Sequence, residues 1–204
     1  MVFCLSKVKG EGILMSIEYE VRMLEICVDD MISRLEKLGA QKKGVFHQKR
    51  YVYDFVPAQK GRWIRLRSNG SCTTLTIKEI KSLRIDGTNE LEIVVSDFDE
   101  TNRILQKLGY SPRTFQENFR IEYSLNGVNF DIDKWPQIPP YMEIEGFSEQ
   151  AVLDAIDMLD IPHEKFITKD VDSIYRDVYG ITLDEIITLK FSTDEAEYIK
   201  KYKK

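Results

Sequence analysis

Charged and apolar residues alternate along several short segments of the chain. The segment IEYEVRM (residues 17–23) places charges at every second position, and Arg65 and Arg67 of RWIRLRS (62–68) are likewise separated by one residue. Because neighbouring side chains of a β-strand point to opposite faces, each set of charges shares one face. The residues in such sets are Glu18, Glu20, Arg22, Arg65, Arg67, Lys78, Glu90, Glu92, Asp131, Asp133, Glu143 and Glu145. Carboxylates of this kind hold divalent cations, whereas guanidinium and ammonium groups hold phosphate oxygens.

The opposite face of these segments is apolar, with Val21, Ile64 and Leu66 among its members. For any single segment, a charged face turned to water is the ordinary explanation. If the strands close into a barrel whose outside is covered by helices, however, the charged face must line the lumen. Buried charges are tolerated when they are paired or bind ions. An acidic side and a basic side in one lumen would suit a polyphosphate bound together with a metal.

Several elements are needed to position these charges. Further strands are predicted over 45–55, 74–79, 89–95, 119–125, 126–133 and 141–146. Three helices are predicted from capping residues that precede periodic apolar patterns. The predicted caps are Asp29 or Asp30 for the first helix, Asp97 or Asp99 for the second and Ser148 for the third. The first two helices are expected to end at Leu38–Gly39 and Leu108–Gly109.

The chain contains an internal repeat. The segment LEKLG (35–39) is followed, eleven residues after its glycine, by Arg50 and the residues YVY. The segment LQKLG (105–109) is followed at the same offset by Arg120 and the residues IEY. A Glu-x-Glu strand precedes each of the two helices. Two related halves are therefore predicted, which close one antiparallel barrel with helices outside.

The bulk composition excludes several classes of protein. A formal net charge of −5 argues against a general nucleic-acid binder, which needs a surplus of Lys and Arg. No apolar stretch is long enough to span a membrane, so no membrane partner is predicted. Cys4, Cys27 and Cys72 form no CxxC pattern, and His47 and His163 complete no zinc site. A reduced, cytoplasmic protein is expected, and a homodimer stays an open alternative to a monomer.

Taken in order, the motifs resemble those of the CYTH family, the triphosphate tunnel metalloenzymes. That family includes class IV adenylate cyclases, thiamine triphosphatases and inorganic triphosphatases. The matching motifs are Glu18-Tyr-Glu20-Val-Arg22, Arg65/Arg67, Lys78, Glu90/Glu92, Arg120, Asp133 and Glu143-Ile-Glu145, within residues 16–180. The resemblance implies an α+β fold, with an eight-stranded antiparallel β-barrel as a tunnel and helices packed outside. Arg22 replaces the lysine of the family's first motif, and residues 135–141 look like those of bacterial proteins described as class IV adenylate cyclases.

The chain is expected to have three parts. Residues 1–14 are interpreted either as a translated leader that precedes a natural start at Met15 or as a disordered arm. Residues 15–180 are expected to form the tunnel domain. Past residue 160 helical patterns are predicted near 170–178 and 182–190. Residues 181–204 are predicted to be a C-terminal helical extension whose final helix is capped by Ser192 or Thr193.

The expected cofactor is Mg²⁺ or Mn²⁺, and the expected partner is a small-molecule triphosphate. Metal binding is assigned to Glu18, Glu20, Glu143 and Glu145, with Glu90, Glu92 and Asp133 as candidates for a second metal or its waters. Phosphate binding is assigned to Arg65, Arg67, Lys78 and Arg120, with Arg22 assisting. The catalytic set is Lys78, Arg65, Arg67, Glu143 and Glu145.

Three functions follow from this assignment. Hydrolysis of a triphosphate by water at the metal is favoured because it requires only the tunnel. The close alternative is a class IV adenylate cyclase, in which the ribose 3′-hydroxyl of ATP attacks the α-phosphorus and yields cyclic AMP and pyrophosphate. The third is a non-catalytic module that binds nucleotide or polyphosphate. Retention of the terminal-strand glutamates argues against the module, since binding an anion alone would not need them.

Overall fold

The computed structural model describes residues 15–183 and 187–202, apart from the side chain of Tyr198. The predicted arm 1–14, which includes Cys4, lies outside the described residues. The elements are β1 (Ser16–Met23), α1 (Val28–Lys37), β2 (Gln41–Gln59), β3 (Arg62–Ser68), β4 (Thr73–Ile80), β5 (Thr88–Val95), α2 (Phe98–Lys107), β6 (Thr114–Leu125), β7 (Val128–Lys134), β8 (Tyr141–Gly146), α3 (Glu149–Met158), β9 (Phe166–Ile167), α4 (Val171–Tyr179), β10 (Thr188–Leu189) and α5 (Thr193–Lys200).

Eight strands close into an antiparallel barrel. Their order is β6-β2-β3-β4-β5-β1-β8-β7, and β7 pairs with β6 to complete the ring. β9 pairs with the end of β1, and β10 runs parallel to the start of β6. The predicted α+β fold and the eight-stranded barrel are confirmed. No helix within the described residues is long and apolar enough to cross a membrane.

The internal repeat corresponds to the two halves of the barrel. The first half is β1-α1-β2-β3-β4, and the second is β5-α2-β6-β7-β8. β2 and β6 lie side by side and antiparallel, with Gln48 opposite Asn118. These two residues occupy equivalent positions in the two halves, so the repeat axis passes between them.

The helices cover the apolar outer face of the barrel. Leu35 of α1 and Ile156 of α3 belong to one buried cluster with residues of β1, β6, β7 and β8. Phe98 and Leu105 of α2 belong to a second cluster with Ile64 and its neighbours on β2 and β3. Burial of these side chains supplies the main stabilisation. It also leaves the charged face of each strand turned to the lumen, as the sequence predicted.

Two of the predicted helix caps are confirmed and one is wrong. The side chains of Asp97 and Ser148 accept hydrogen bonds from backbone N–H groups in the first turns of α2 and α3. The N-cap of α1 is Cys27, which makes no side-chain cap bond. Asp29 and Asp30 therefore do not cap α1 but lie in its first turn, because the helix begins one residue before the aspartates. There they interact favourably with the positive end of the helix dipole.

The prediction for residues 126–133 places the strand too early. Asn126 and Gly127 have φ values of 52° and 80° and form the turn between β6 and β7, so β7 begins at Val128. Residues in this left-handed region are typical of tight hairpin turns.

The C-terminal region differs from prediction in one segment. α4 and α5 form, and Ser192 makes a capping box with Glu195. The prediction of a helix near 182–190 is wrong at its end, because β10 lies there and pairs with Phe115 and Gln116, and residues 184–186 of that segment lie outside the described residues. β6 pairs with β7 only from Phe119 onwards, so the start of β6 offers an open strand edge.

Candidate functional site

The charged residues identified in the sequence face the lumen. Residues directly opposite each other on paired strands project from the same face. Arg22 lies opposite Glu143 on β8, and Glu143 lies opposite Asp131 on β7. Those with exposed fractions of 9% or less are Glu18, Arg22, Lys78, Asp131, Asp133 and Glu143. The predicted site residues therefore come together inside the barrel.

Lys78 lies between carboxylates of β1 and β5. Its Nζ is 2.9 Å from Glu18 Oε2 and 2.7 Å from Glu90 Oε1. Burial raises the pKa of Glu18 to about 8, against the effect of Lys78, and the charges of Glu20, Glu90 and Glu145 add to the rise. Burial opposes the charged form of Lys78, but its carboxylate neighbours outweigh this and raise its pKa. This region holds more negative charge than one lysine offsets.

The β3 arginines are less completely paired. Arg65 Nη2 lies 3.2 Å from Glu90 Oε1 and 3.5 Å from Glu92 Oε2. The corresponding distance from Arg67 Nη2 to Glu92 Oε2 is 3.8 Å. The positive charge of Arg65, together with burial, lowers the pKa of Arg67. The two guanidinium groups thus repel each other and are suited to bind an anion between them.

Arg120 holds three carboxylates. Its Nε donates to Asp133 Oδ1 at 2.8 Å, its Nη2 donates to Glu143 Oε2 at 2.6 Å, and Nη1 donates to Asp131. Burial alone would raise the pKa of Glu143, but Arg22 and Arg120 lower it well below its usual range. Asp131, which the sequence assignment left without a role, is thereby part of the charge network.

The guanidinium group of Arg22 donates hydrogen bonds to three separate residues. Its Nε donates to Glu143 Oε1 at 2.7 Å, its Nη2 donates to Glu20 Oε1 at 2.9 Å, and its Nη1 donates to the carbonyl of Lys169 at 2.8 Å. A lysine offers one nitrogen and cannot reproduce these three directions. The replacement noted in the sequence therefore gives the first strand a contact with the segment that follows β9.

The sequence assignment missed Arg50, together with the neutral side chains around it. Arg50 is 7% exposed, lies opposite Arg67 and Gln116, and points into the same lumen. Its Nη2 donates to Gln48 Oε1 at 3.1 Å and also to Asn118 Oδ1. The internal repeat carried the signal, because Arg50 is the counterpart of Arg120 in the first half.

The signs are separated less cleanly than predicted. Lys78 and Arg22 lie among carboxylates, since each buried charge is stabilised by a direct partner. The neighbouring β2 and β3 strands bring Arg50, Arg65 and Arg67 together. The lumen therefore contains an acidic region interleaved with cations and, beside it, a group of arginines that Arg65 joins to the acidic region through Glu90.

The acidic region fits a divalent cation in its chemistry. Glu20 lies opposite Glu145, and the pKa of Glu145 is raised by burial and then by the charges of Glu20 and Glu90. Carboxylate oxygens are the ligands that Mg²⁺ and Mn²⁺ prefer. Among the described residues, no three acidic, histidine or cysteine side chains already surround a common point as ligands. Lys78 and Arg22 occupy the carboxylates, so metal binding requires these cations to release them.

Comparison with known proteins agrees with the motifs. The sequence profile of the CYTH domain matches residues 16–169. No curated protein sequence matches the chain. The structure of the PH1012 protein from Pyrococcus horikoshii OT3 aligns with a TM-score of 0.66 at 23% identity, covering 76% of this chain and 96% of that one.

Two further solved structures carry names that refer to activities. A proposed adenylate cyclase from Vibrio parahaemolyticus aligns with a TM-score of 0.67 at 11% identity, covering 78% of this chain and 97% of that one. A proposed adenylyl cyclase from Hippeastrum, said to reveal a dominant triphosphatase activity, aligns with a TM-score of 0.53 at 14% identity, covering 85% of this chain and all of that one. At these identities the similarity establishes the fold alone.

Proposed function

Since the chain belongs to the CYTH domain family, whose members are triphosphatases or cyclases, we propose that it is a metal-dependent triphosphatase. The family is in general dependent on divalent metal. The proposed reaction transfers the terminal phosphoryl group of tripolyphosphate, a nucleoside triphosphate or thiamine triphosphate to water.

One observation carries this proposal. A single buried lumen contains a crowded group of carboxylates and, beside it, a cluster of arginines that repel one another. In each of these two groups of side chains, the protein's own opposite charges do not fully neutralise the charge. A triphosphate with a divalent cation supplies both missing charges at once, whereas an anion without a metal would leave the carboxylates crowded.

The cationic residues of the lumen would bind the phosphates. Arg65, Arg67 and Arg120 would hold phosphate oxygens, and Lys78 would move from its carboxylates to the substrate. Phosphoryl transfer depends mainly on positioning and on neutralising charge, which this array provides without covalent catalysis. Arg22, once released from Glu20 and Glu143, would assist at the phosphate oxygens.

The carboxylates Glu18, Glu20, Glu143 and Glu145 would hold the metal, with Glu90, Glu92 and Asp133 as candidates for a second metal or its waters. The metal, when bound, supplies charge neutralisation at the phosphate oxygens. Glu18 and Glu145 are the strongest candidates because burial and like charges raise their pKa values.

Cyclisation of ATP is the second candidate. Structures with TM-scores of 0.67 and 0.54 are named as proposed adenylate cyclases, from Vibrio parahaemolyticus and Bacillus halodurans. Both reactions use the same phosphate-binding and metal-binding groups. Hydrolysis is preferred because it requires only the phosphate-binding and metal-binding groups of the tunnel.

Product analysis tests the proposal. The protein is incubated with Mg²⁺ or Mn²⁺ and, separately, with tripolyphosphate, ATP and thiamine triphosphate, and the products are separated by chromatography. Orthophosphate from tripolyphosphate, abolished by EDTA, is the expected result. Cyclic AMP and pyrophosphate from ATP, with tripolyphosphate acting only as an inhibitor, would replace hydrolysis by cyclisation. Binding without turnover of any substrate would leave a non-catalytic module.

A further inference from the structure

Arg50 and Arg120 occupy equivalent positions in the two halves but have opposite surroundings. Arg120 lies opposite Asp133 in the register of β6 and β7, and it holds three carboxylates. Arg50 lies opposite Arg67 in the register of β2 and β3. Among the described residues, Arg50 forms no ion pair with a carboxylate, and its recorded acceptors are the neutral amides of Gln48 and Asn118.

The guanidinium of Arg50 is therefore buried without a carboxylate in direct contact, and the charge of Asp133 does not offset the effect of the neighbouring arginines. Its Nε is buried and has no hydrogen-bond acceptor within the described residues. Burial and the charges of Arg67, Arg65 and Arg120 lower its pKa well below the usual range of arginine. A buried charge without a partner carries a large free-energy cost. The cost is removed when an anion occupies the lumen beside it.

This end of the lumen is closed. The guanidinium of Arg50 lies 4.4 Å from the ring centroid of Trp135, which packs edge-on against Tyr175 of α4. The surrounding polar residues are shielded from solvent, with exposed fractions of 2% for Gln48 and 0% for Asn118. By contrast, the side chain of Arg67, on the neighbouring strand, is 23% exposed. A substrate would therefore approach Arg50 from the side of Arg67, with Trp135 and Tyr175 packed beyond it.

We propose that Arg50 binds the terminal phosphate of the substrate and selects triphosphates whose last phosphate carries no substituent. The inference rests on the proposed function, because it assumes that the lumen takes a triphosphate. A terminal phosphate offers three oxygens to Arg50 and Arg67, whereas an esterified phosphate would have to place its substituent against Trp135. The organic group of a nucleotide or of thiamine would then lie towards the open side.

Calorimetric titration separates this inference from its alternatives. The ligands are β,γ-methylene-ATP, which is not hydrolysed at that linkage, and its γ-methyl ester, both with Mg²⁺. Wild type, Arg50→Gln and Arg62→Gln are compared. Arg62 is the matched control, because it pairs with Glu79 and lies on the strand face opposite to Arg65.

Arg50→Gln should weaken binding of the unesterified analogue by about 10- to 100-fold, as expected for a lost hydrogen bond to a charged group, and Arg62→Gln should bind like wild type. The wild type should prefer the unesterified analogue by at least about tenfold, and this preference should fall to near unity in Arg50→Gln. If the ester binds more weakly only because it has lost one negative charge, wild type and Arg50→Gln should prefer the unesterified analogue by the same factor. An equal preference in the two proteins therefore overturns the inference.

The stability of the free protein supplies an independent readout. If Arg50 binds ligand and does not stabilise the free protein, Arg50→Gln should leave the melting temperature without ligand unchanged or higher. The same variant should show a smaller increase in melting temperature when the analogue is added. A lower melting temperature of the free variant, with unchanged ligand affinity, would make Arg50 a structural residue and overturn the inference. If the wild type binds neither analogue, the proposed function itself fails.

Discussion

The two glutamates of the last barrel strand differ in their surroundings, and their Gln variants should therefore differ in stability. Glu143 accepts hydrogen bonds from Arg22 and Arg120 at 2.7 and 2.6 Å. Its pKa is lowered by these two arginines, so its carboxylate form stabilises the fold. Glu145, two residues later, has its pKa raised by burial and by the charges of Glu20 and Glu90.

Glu143→Gln keeps one acceptor oxygen and loses the other. A hydrogen bond to a charged group contributes about 1.5–3 kcal/mol, which we take as the expected loss in the free energy of unfolding. For a chain of this length the loss corresponds to a fall in Tm of about 3–12 °C. Glu145→Gln removes a like charge from a crowded region and should leave Tm unchanged or raise it. Both variants should lose most of their metal-stimulated turnover.

Thermal unfolding without metal, followed by circular dichroism at pH 7, gives the two Tm values, and phosphate release with Mg²⁺ or Mn²⁺ gives the activities. The contribution of Glu143 is present above the ordinary carboxyl pKa and is lost only as the pH falls through its lowered folded value, so pH 7 is a suitable condition. Equal Tm shifts in the two variants, or a fall confined to Glu145→Gln, would refute the reasoning. Full metal-stimulated activity in the double Gln variant would refute the metal assignment.

The remaining predictions concern protons, the substrate and the chain end. Because the pKa of Glu18 is raised to about 8, metal binding near pH 7 should release a proton, and the metal affinity should increase as the pH rises towards 8. The proton is detected by measuring the enthalpy of metal binding in buffers of different ionisation enthalpy, and identical enthalpies would contradict the prediction. Because the pKa of Glu18 is raised in the folded state, this residue stabilises the metal-free protein fully below its ordinary pKa, and the stabilisation is lost as the pH rises through about 8. The Tm without metal should therefore be higher at pH 5 than at pH 8.5 if Glu18 dominates the pH dependence. Tripolyphosphate should compete with ATP for one site, and Lys78→Ala or Arg65→Ala should weaken both by similar factors in a competition assay. Removal of residues 1–14 should leave Tm and activity intact, since the alternating pattern begins after Met15; a large fall in Tm would show that they contribute to the fold.

The alternating pattern was sufficient to predict most of the lumen. From Glu18 to Arg22 on β1, and from Arg65 to Arg67 on β3, every second residue is charged, so the strand face follows directly from the sequence, and register then brings the faces together. In β2 the adjacent residues Lys49 and Arg50 are both cationic, and alternation cannot say which one points inwards. The structure resolves this, because Lys49 is exposed and Arg50 is buried. Only the equivalence of Arg50 with Arg120 in the repeat could have identified it beforehand.

Features that depend on distant partners could not be predicted in this way. β10 exists because the start of β6 has an open edge, and that edge is defined by the point at which β7 ends its pairing. The short distances from Lys78 to Glu18 and Glu90 depend on how the barrel brings β1, β4 and β5 together. The sequence gives the signs of these charges, but it does not show which charge lies against which.

The ion pairs of the lumen explain how a chain with so much buried charge can fold, and the proposed function requires that they open when a triphosphate binds. Without a ligand, Lys78 and Arg22 neutralise carboxylates that would otherwise repel each other. A triphosphate would draw these cations onto its oxygens, and the released carboxylates would then be available to a metal. Because each event removes the obstacle to the other, metal and triphosphate should increase each other's affinity by the same factor. Arg50 lies outside this exchange, since it has no carboxylate to release. A contact between Arg50 and a phosphate would break no ion pair. The part of the lumen beside Arg50 and Trp135 is therefore where binding of an anion would have the lowest electrostatic cost.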